Sequence, residues 1–266
     1  MIKVFIAGAT GWAGSELSKG VFNNNQMQLV GALSRKHKGE NLADILNLKN
    51  ADIPVFEDIE TALSEVNFDV LIDYTNPEVA KTNIIATLKK GKNVVVGTSG
   101  LTDDDYTEIE KIANENNTSV LAVGNFAITV VLLQKFAEMA AKYIPNFEII
   151  DYAHEDKIDS PSGTVRELAY RLSKVQKPIV HVSDDELVGE KATRGASLNG
   201  VQVHSVRLPG FVISVETIFG LKDEKLTIRH DSGTSAEPYV KGAMLAIEKV
   251  GTFKGLKRGL DSVMEF

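Results

Sequence analysis

A glycine turn near the N-terminus limits the folds open to this chain more than any other stretch. Gly8-Ala9-Thr10-Gly11-Trp12-Ala13-Gly14 follows the apolar run Lys3–Ala7 and opens the helical pattern Trp12–Phe22. Strand, glycine turn and helix in that order are the context a dinucleotide-binding turn demands. The first glycine allows the tight turn, the second lets backbone N–H groups approach a pyrophosphate, and the third permits close helix–strand packing. The helix N-terminus then supplies partial positive charge to the phosphates. Thr10, Trp12 and Ala13 fall on the same expected contact surface, with Trp12 either covering the cofactor or stapling the helix. The Gly-x-x-Gly-x-x-Gly spacing is the variant common in NADP-linked enzymes.

The run Leu29–Leu33 ends about 20 residues after the glycines, where an acidic residue would hold the ribose 2′-hydroxyl of NAD. The chain has Ser34-Arg35-Lys36 there instead. Arg35 and Lys36 can pair with a 2′-phosphate, so NADPH is expected to be preferred with NADH possible. A solvated basic loop is the alternative.

The first half then alternates: Val70–Tyr74 as strand, Pro77 to about Lys90 as helix, Asn93–Val96 as strand, a helix from Thr102 to about Asn116, and Ser119–Val123 as strand. Such alternation predicts an α/β fold, a Rossmann-type doubly wound parallel sheet with helices on both faces. Three further turns fall at strand ends, where ligands collect in open sheets. They are Asp73-Tyr74-Thr75, Gly97-Thr98-Ser99-Gly100 and Gly124-Asn125-Phe126-Ala127. Ordinary turn chemistry explains each alone; three on one sheet edge are harder to dismiss.

After the helical pattern Ile128–Tyr143, the runs Val201–Arg207, Val212–Phe219 and Lys225–Arg229 follow one another without helices between them. That predicts a second, α+β domain with a mixed sheet. Pro238 fits the first turn of a last helix, Glu237–Lys249.

Composition narrows the function. The net charge of −7 argues against nucleic acid as a partner, because phosphate contacts need clustered Lys and Arg. The chain has no cysteine, which excludes disulfides, thiolate catalysis and a Cys-ligated metal and suits a reducing cytoplasm. No stretch reaches the roughly 18 apolar residues of a membrane span. No His/Asp/Glu spacing suggests a catalytic metal.

The densest polar cluster is Asp151-Tyr-Ala153-His154-Glu155-Asp156-Lys157-Ile-Asp159-Ser-Pro-Ser162-Gly163-Thr164. Ser162 or Gly163 can cap the following helix, near Thr164–Lys174, whose free N–H groups suit a carboxylate. With this segment the chain resembles the dihydrodipicolinate reductases of lysine and diaminopimelate biosynthesis, nearly end to end. The likeness runs through the glycine turn, Asp73–Thr75 with Pro77, Gly97–Gly100, Asn125–Ala127, Lys157–Thr164, Arg194-Gly195, Val203–Gly210 and Leu226–His230.

The resemblance implies a nucleotide domain over 1–124 and 234–266 and a substrate and oligomerisation domain over 125–233, assembled as a homotetramer. It implies reduction of a cyclic imine dicarboxylate by hydride from the nicotinamide, with a proton added at the adjacent carbon. Lys157 would then be a catalytic cation beside the reacting ring, and His154, Ser162, Gly163, Thr164 and Ser99 would hold substrate. Tyr74, Thr75, Gly97, Thr98, Ser99, Gly124, Asn125 and Phe126 would line the cofactor with the first glycine turn.

One departure matters. The family usually carries two adjacent histidines, the first a proposed proton donor, and Ala153 stands at that first position. A methyl group cannot transfer a proton, so the acid is Lys157, His154 or water, or the substrate differs. Glu155 and Asp156 also lower the positive potential around a dianion, unless they face solvent. A paralogue acting on another imine or on an amino acid, and a non-catalytic NADPH-binding redox sensor, stay open. His37 and His181 read as bystanders, His204 and His230 as packing or interface residues. Tyr170-x-x-x-Lys174 matches the pair of short-chain dehydrogenases, but chance and core packing beside Leu168 and Leu172 explain it better.

Overall fold

A computed structural model describes residues 1–183 and 185–266. The chain divides into two compact units, residues 1–128 with 236–266, and residues 129–235. In the first, β1 (Ile2–Ala7), α1 (Trp12–Phe22), β2 (Met27–Leu33), α2 (Leu42–Leu46), β3 (Val55–Phe56), α3 (Ile59–Glu65) and β4 (Val70–Asp73) are followed by α4 (Pro77–Lys89), β5 (Asn93–Val96), α5 (Asp103–Glu115) and β6 (Ser119–Ala122). The second holds α6 (Ile128–Ala141), β7 (Phe147–Ala153), α7 (Gly163–Val175), β8 (Ala196–Leu198), β9 (Val201–Arg207), β10 (Ile213–Leu221) and β11 (Glu224–Ser232). The chain then returns to the first unit as α8 (Glu237–Val250) and β12 (Gly255–Arg258).

The first unit is a seven-stranded parallel sheet in the order β12-β6-β5-β4-β1-β2-β3. Its central strands read as apolar runs because both faces are covered; Val4 to Ala7 and Val94 to Val96 are buried. Phe5 stacks on Phe68 with centroids 4.9 Å apart, anchoring one side of the core. Helix starts follow local chemistry. Asn76 caps α4 ahead of Pro77, and Thr102 with Asp105 forms a capping box on α5. The strand order reverses between β4 and β1, so the crevice beyond their carboxyl ends is the switch point.

The second unit is a five-stranded mixed sheet, β11-β10-β7-β9-β8, in which only β7 and β9 run parallel. Alternate residues of β7 (Phe147, Ile149, Asp151, Ala153) are buried, and α6 and α7 pack on that face through Leu133, Ala137, Leu168 and Leu172. Some elements differ from what periodicity predicts. Short β3, α2 and α3 occupy 42–65, and β12 adds a parallel edge strand beside β6 after the last helix. A two- or four-residue strand carries no measurable period, so its sheet partners define it.

Candidate functional site

In the first unit the glycines do what their spacing demands. Gly8 has φ +80°, and a Cβ on it would stand 2.4 Å from the Tyr74 carbonyl oxygen at the end of β4. A Cβ on Gly14 would stand 2.0 Å from the Gly8 carbonyl oxygen, so only glycine lets α1 close on the turn. Gly11 precedes α1 with no side-chain cap and no acid in the first turn, which leaves N–H groups for an anion. Thr10 Oγ1 and Ser34 Oγ lie 2.9 Å apart, joining the turn to the end of β2. The ring of Trp12 is 62% exposed and meets Tyr239 edge-on at 5.9 Å.

Beside this turn is a cavity of about 400 Å³, lined by Gly8, Ser34, Arg35, Lys36 and Thr75 and, on the acidic side, by Glu57, Asp58 and Glu60. Arg35 and Lys36 are exposed and have no carboxylate within ion-pair distance among the described residues, whereas Lys38 pairs with Glu57 at 2.7 Å.

The three other turns share one sheet edge. Their hub is Asp73, a fully buried carboxylate that was not among the expected site residues. It accepts from the Thr75 N–H (3.0 Å) and hydroxyl (2.6 Å), from Thr98 Oγ1 (2.7 Å) and from Asn83 Nδ2 (2.9 Å). Asp73 therefore fixes Thr75 and Thr98 against each other. Gly97 leaves room for the Tyr74 ring, which meets Phe126 at 5.3 Å. Burial pushes the Tyr74 phenol well above its usual range, and its hydroxyl has no hydrogen-bond partner among the described residues. Asn125 accepts from the Ala127 N–H at 2.9 Å, so its oxygen serves the turn. Ser99 and Gly124 are exposed. Gly242 of α8, also unexpected, admits the Phe126 carbonyl to 1.9 Å of where a Cβ would be.

In the second unit the loop from His154 to Gly163 hangs on another buried carboxylate. Asp151 accepts from Ser162 N (2.8 Å), Ser162 Oγ (2.8 Å) and Arg207 Nη2 (2.7 Å). Arg207 also donates to the Asp159 carbonyl oxygen at 2.8 Å. The Ser162 hydroxyl is thus turned inward as scaffold and cap, whereas the N–H groups of Gly163 and Thr164 donate to no acceptor among the described residues. Lys157 Nζ lies 2.6 Å from Asp159, whose carboxyl it holds below the usual range. His154 Nδ1 lies 2.7 Å from Asp156, so this acid partners the histidine as well as lowering the local potential. Ala153, fully buried, ends β7 on the same sheet face as Asp151.

Three of the other four histidines have partners, His37 with Glu40, His181 with Asn146, and His204 with Glu148 at 2.7 Å, while burial lowers the pKa of His230. Tyr170 is 53% exposed with the Lys174 ammonium over its ring, so the expectation that it packs in the core is corrected. On a helix, position 170 follows the core residues Leu168 and Ala169 by one or two steps and falls on the outer face. Among the described residues no cluster could hold a metal ion, and no helix is long and apolar enough to cross a membrane.

Comparison with known proteins matches both units to one family. Residues 2–126 match the family model for the dihydrodipicolinate reductase N-terminus, and residues 129–264 match that for its C-terminus. The 4-hydroxy-tetrahydrodipicolinate reductase of Halalkalibacterium halodurans is 39% identical over 265 residues, covering 100% of both chains. That of Desulfitobacterium hafniense is 37% identical, covering 99% of each. A dipicolinate-bound dihydrodipicolinate reductase from Paenisporosarcina sp. TG-14 superposes with a TM-score of 0.89 at 34% identity, over 99% of this chain and 100% of that one. The amine dehydrogenase of Mycobacterium smegmatis, at 14% identity and a TM-score of 0.66, shares the fold.

Proposed function

The chain belongs to the dihydrodipicolinate reductase family, and we propose that it reduces 4-hydroxy-tetrahydrodipicolinate to tetrahydrodipicolinate with NADPH in preference to NADH. The observation that carries this is the Lys157–Thr164 loop, which holds a lysine and two N–H groups unmatched among the described residues, in a chain matched to such reductases along its whole length. The dinucleotide fits the residues present: the cradle that Gly8 and Gly14 keep open would take the pyrophosphate, and Arg35 and Lys36 a 2′-phosphate. The nicotinamide, when bound, supplies the hydride.

The protein's own part is binding, orientation and one proton. Gly97, Thr98 and Phe126, fixed by Asp73 and Tyr74, would form the wall for the nicotinamide, with Thr10, Trp12, Ala13, Ser34, Thr75, Ser99, Gly124 and Asn125 around the dinucleotide. Gly163 and Thr164 N–H groups, with Lys157 and His154, would hold substrate carboxylate. Lys157 is also the group for the developing charge and the added proton, since Ala153 has none to give. A homotetramer in the cytoplasm belongs to the same reading and rests on the likeness to that family.

Freshly generated 4-hydroxy-tetrahydrodipicolinate, offered with each reduced nicotinamide in turn, tests the activity. Cofactor oxidation dependent on that substrate is expected. Tight NADPH binding without turnover would overturn it and favour a different imine or a sensor. Replacing Arg35 and Lys36 together by serine should weaken NADPH binding by about tenfold or more while leaving NADH binding nearly unchanged. Fluorescence titration measures both, and a wild-type preference for NADH would sink the role of this pair.

A further inference from the structure

The cations around the substrate loop are mostly spent on carboxylates of the protein. Lys157 is paired with Asp159, Arg207 with Asp151, and His154 with Asp156. Arg166, in the first turn of α7, is the exception. Its Nη1 donates to the Pro161 carbonyl oxygen, and no carboxylate of the described residues lies within ion-pair distance. A Cβ added to Gly163 would stand 3.7 Å from Arg166 Nη2, so the guanidinium lies over Gly163 itself. It shares that end of the helix with the unmatched N–H groups of Gly163 and Thr164.

Building on the substrate assigned above, we infer that Arg166 is a specificity-determining residue that binds one carboxylate of the dianionic substrate together with the Gly163 and Thr164 N–H groups. A guanidinium presents two parallel donors to a carboxylate, and neutral N–H groups beside it complete the shell. The charge balance calls for such a group. Glu155 and Asp156 reduce the potential along the loop, and Ala153 adds no cation. Arg166 returns positive charge at the start of α7, where its field also reaches Asp159, with its donors Nη2 and Nε uncommitted among the described residues.

The test compares wild type with Arg166→Leu and Arg166→Lys, using dipicolinate as the dianion and picolinate as the monoanion. In Arg166→Leu the Kd for dipicolinate and the KM for substrate should each rise about tenfold or more, with kcat changed by less than about threefold and picolinate affected less than dipicolinate. Arg166→Lys should recover part of the loss. Circular dichroism and NADPH titration check that the variants are folded. An unchanged dipicolinate Kd in a folded Arg166→Leu, while wild type turns over substrate, removes Arg166 alone. Failure of wild type to bind dipicolinate at all overturns the substrate assignment, and Arg166 falls with it.

Discussion

Asp151→Ala should lower the unfolding free energy of the second unit by about 3–5 kcal/mol, the usual cost of removing one partner from a buried ion pair. Asp151 is fully buried, and its carboxylate accepts twice from Ser162, once from Arg207 and, at 3.5 Å, from Ser205 Oγ. Without it, a mostly buried guanidinium keeps its carbonyl acceptors but loses its counter-charge, a buried N–H loses its acceptor, and Arg207 Nε already lacks a partner among the described residues. A loss of that size is a large share of the 5–15 kcal/mol typical of a whole domain. Urea unfolding measures it directly. The loop should also lose its register, because Ser162 and the Asp159 carbonyl both hang on this pair. Dipicolinate binding should therefore fall while NADPH binding, served by the other unit, persists. Asp151→Leu combined with Arg207→Met should recover much of the stability, since apolar pairs replace buried ion pairs at little cost. It should not recover dipicolinate binding. An Asp151→Ala protein as stable as wild type would contradict the role given to the pair.

What could be read in advance followed from how local each feature is. The β1–turn–α1 unit was legible because its glycines, strand and helix are contiguous, and each glycine meets a constraint within that unit or one strand away. The Lys157–Thr164 run was legible for the same reason. Asp151 and Arg207 lie 56 positions apart, and Asp73 reaches Thr98 across 25, so neither network leaves a local pattern. Both acids fell inside segments singled out in the sequence, but their distant partners did not show there. Ser162 shows the converse. Its position beside the anion loop was plain, but the buried acid it faces turned its hydroxyl to a scaffold role. Burial also decided Tyr170, whose spacing from Leu168 and Leu172 suggested core and whose helical angle places it outside.

Lys157→Ala should reduce kcat by about a hundredfold to ten-thousandfold, the range expected when one group supplies both the proton and charge stabilisation. The position of Ala153 makes this dependence sharper. It shares a sheet face with Asp151, the carboxylate that holds the loop, so a side chain there would stand on the loop's side, but it offers only a buried methyl. Of the nearby groups, Arg166 does not release a proton at neutral pH. His154 is tied through Nδ1 to Asp156 and is nearly half exposed. Lys157 holds three donors, one of them on Asp159, and the others are available to a ligand. A substrate carboxylate or developing negative charge would draw the ammonium from that pair. Lys157→Arg separates the two roles. It keeps the charge but cannot give up a proton, so retention of most of kcat would assign Lys157 to electrostatics, and a loss like that of alanine would assign it the proton. Stopped-flow oxidation of NADPH with saturating substrate measures kcat in each variant. A wild-type rate in Lys157→Ala would remove the lysine from the chemistry and leave His154 or water as the acid.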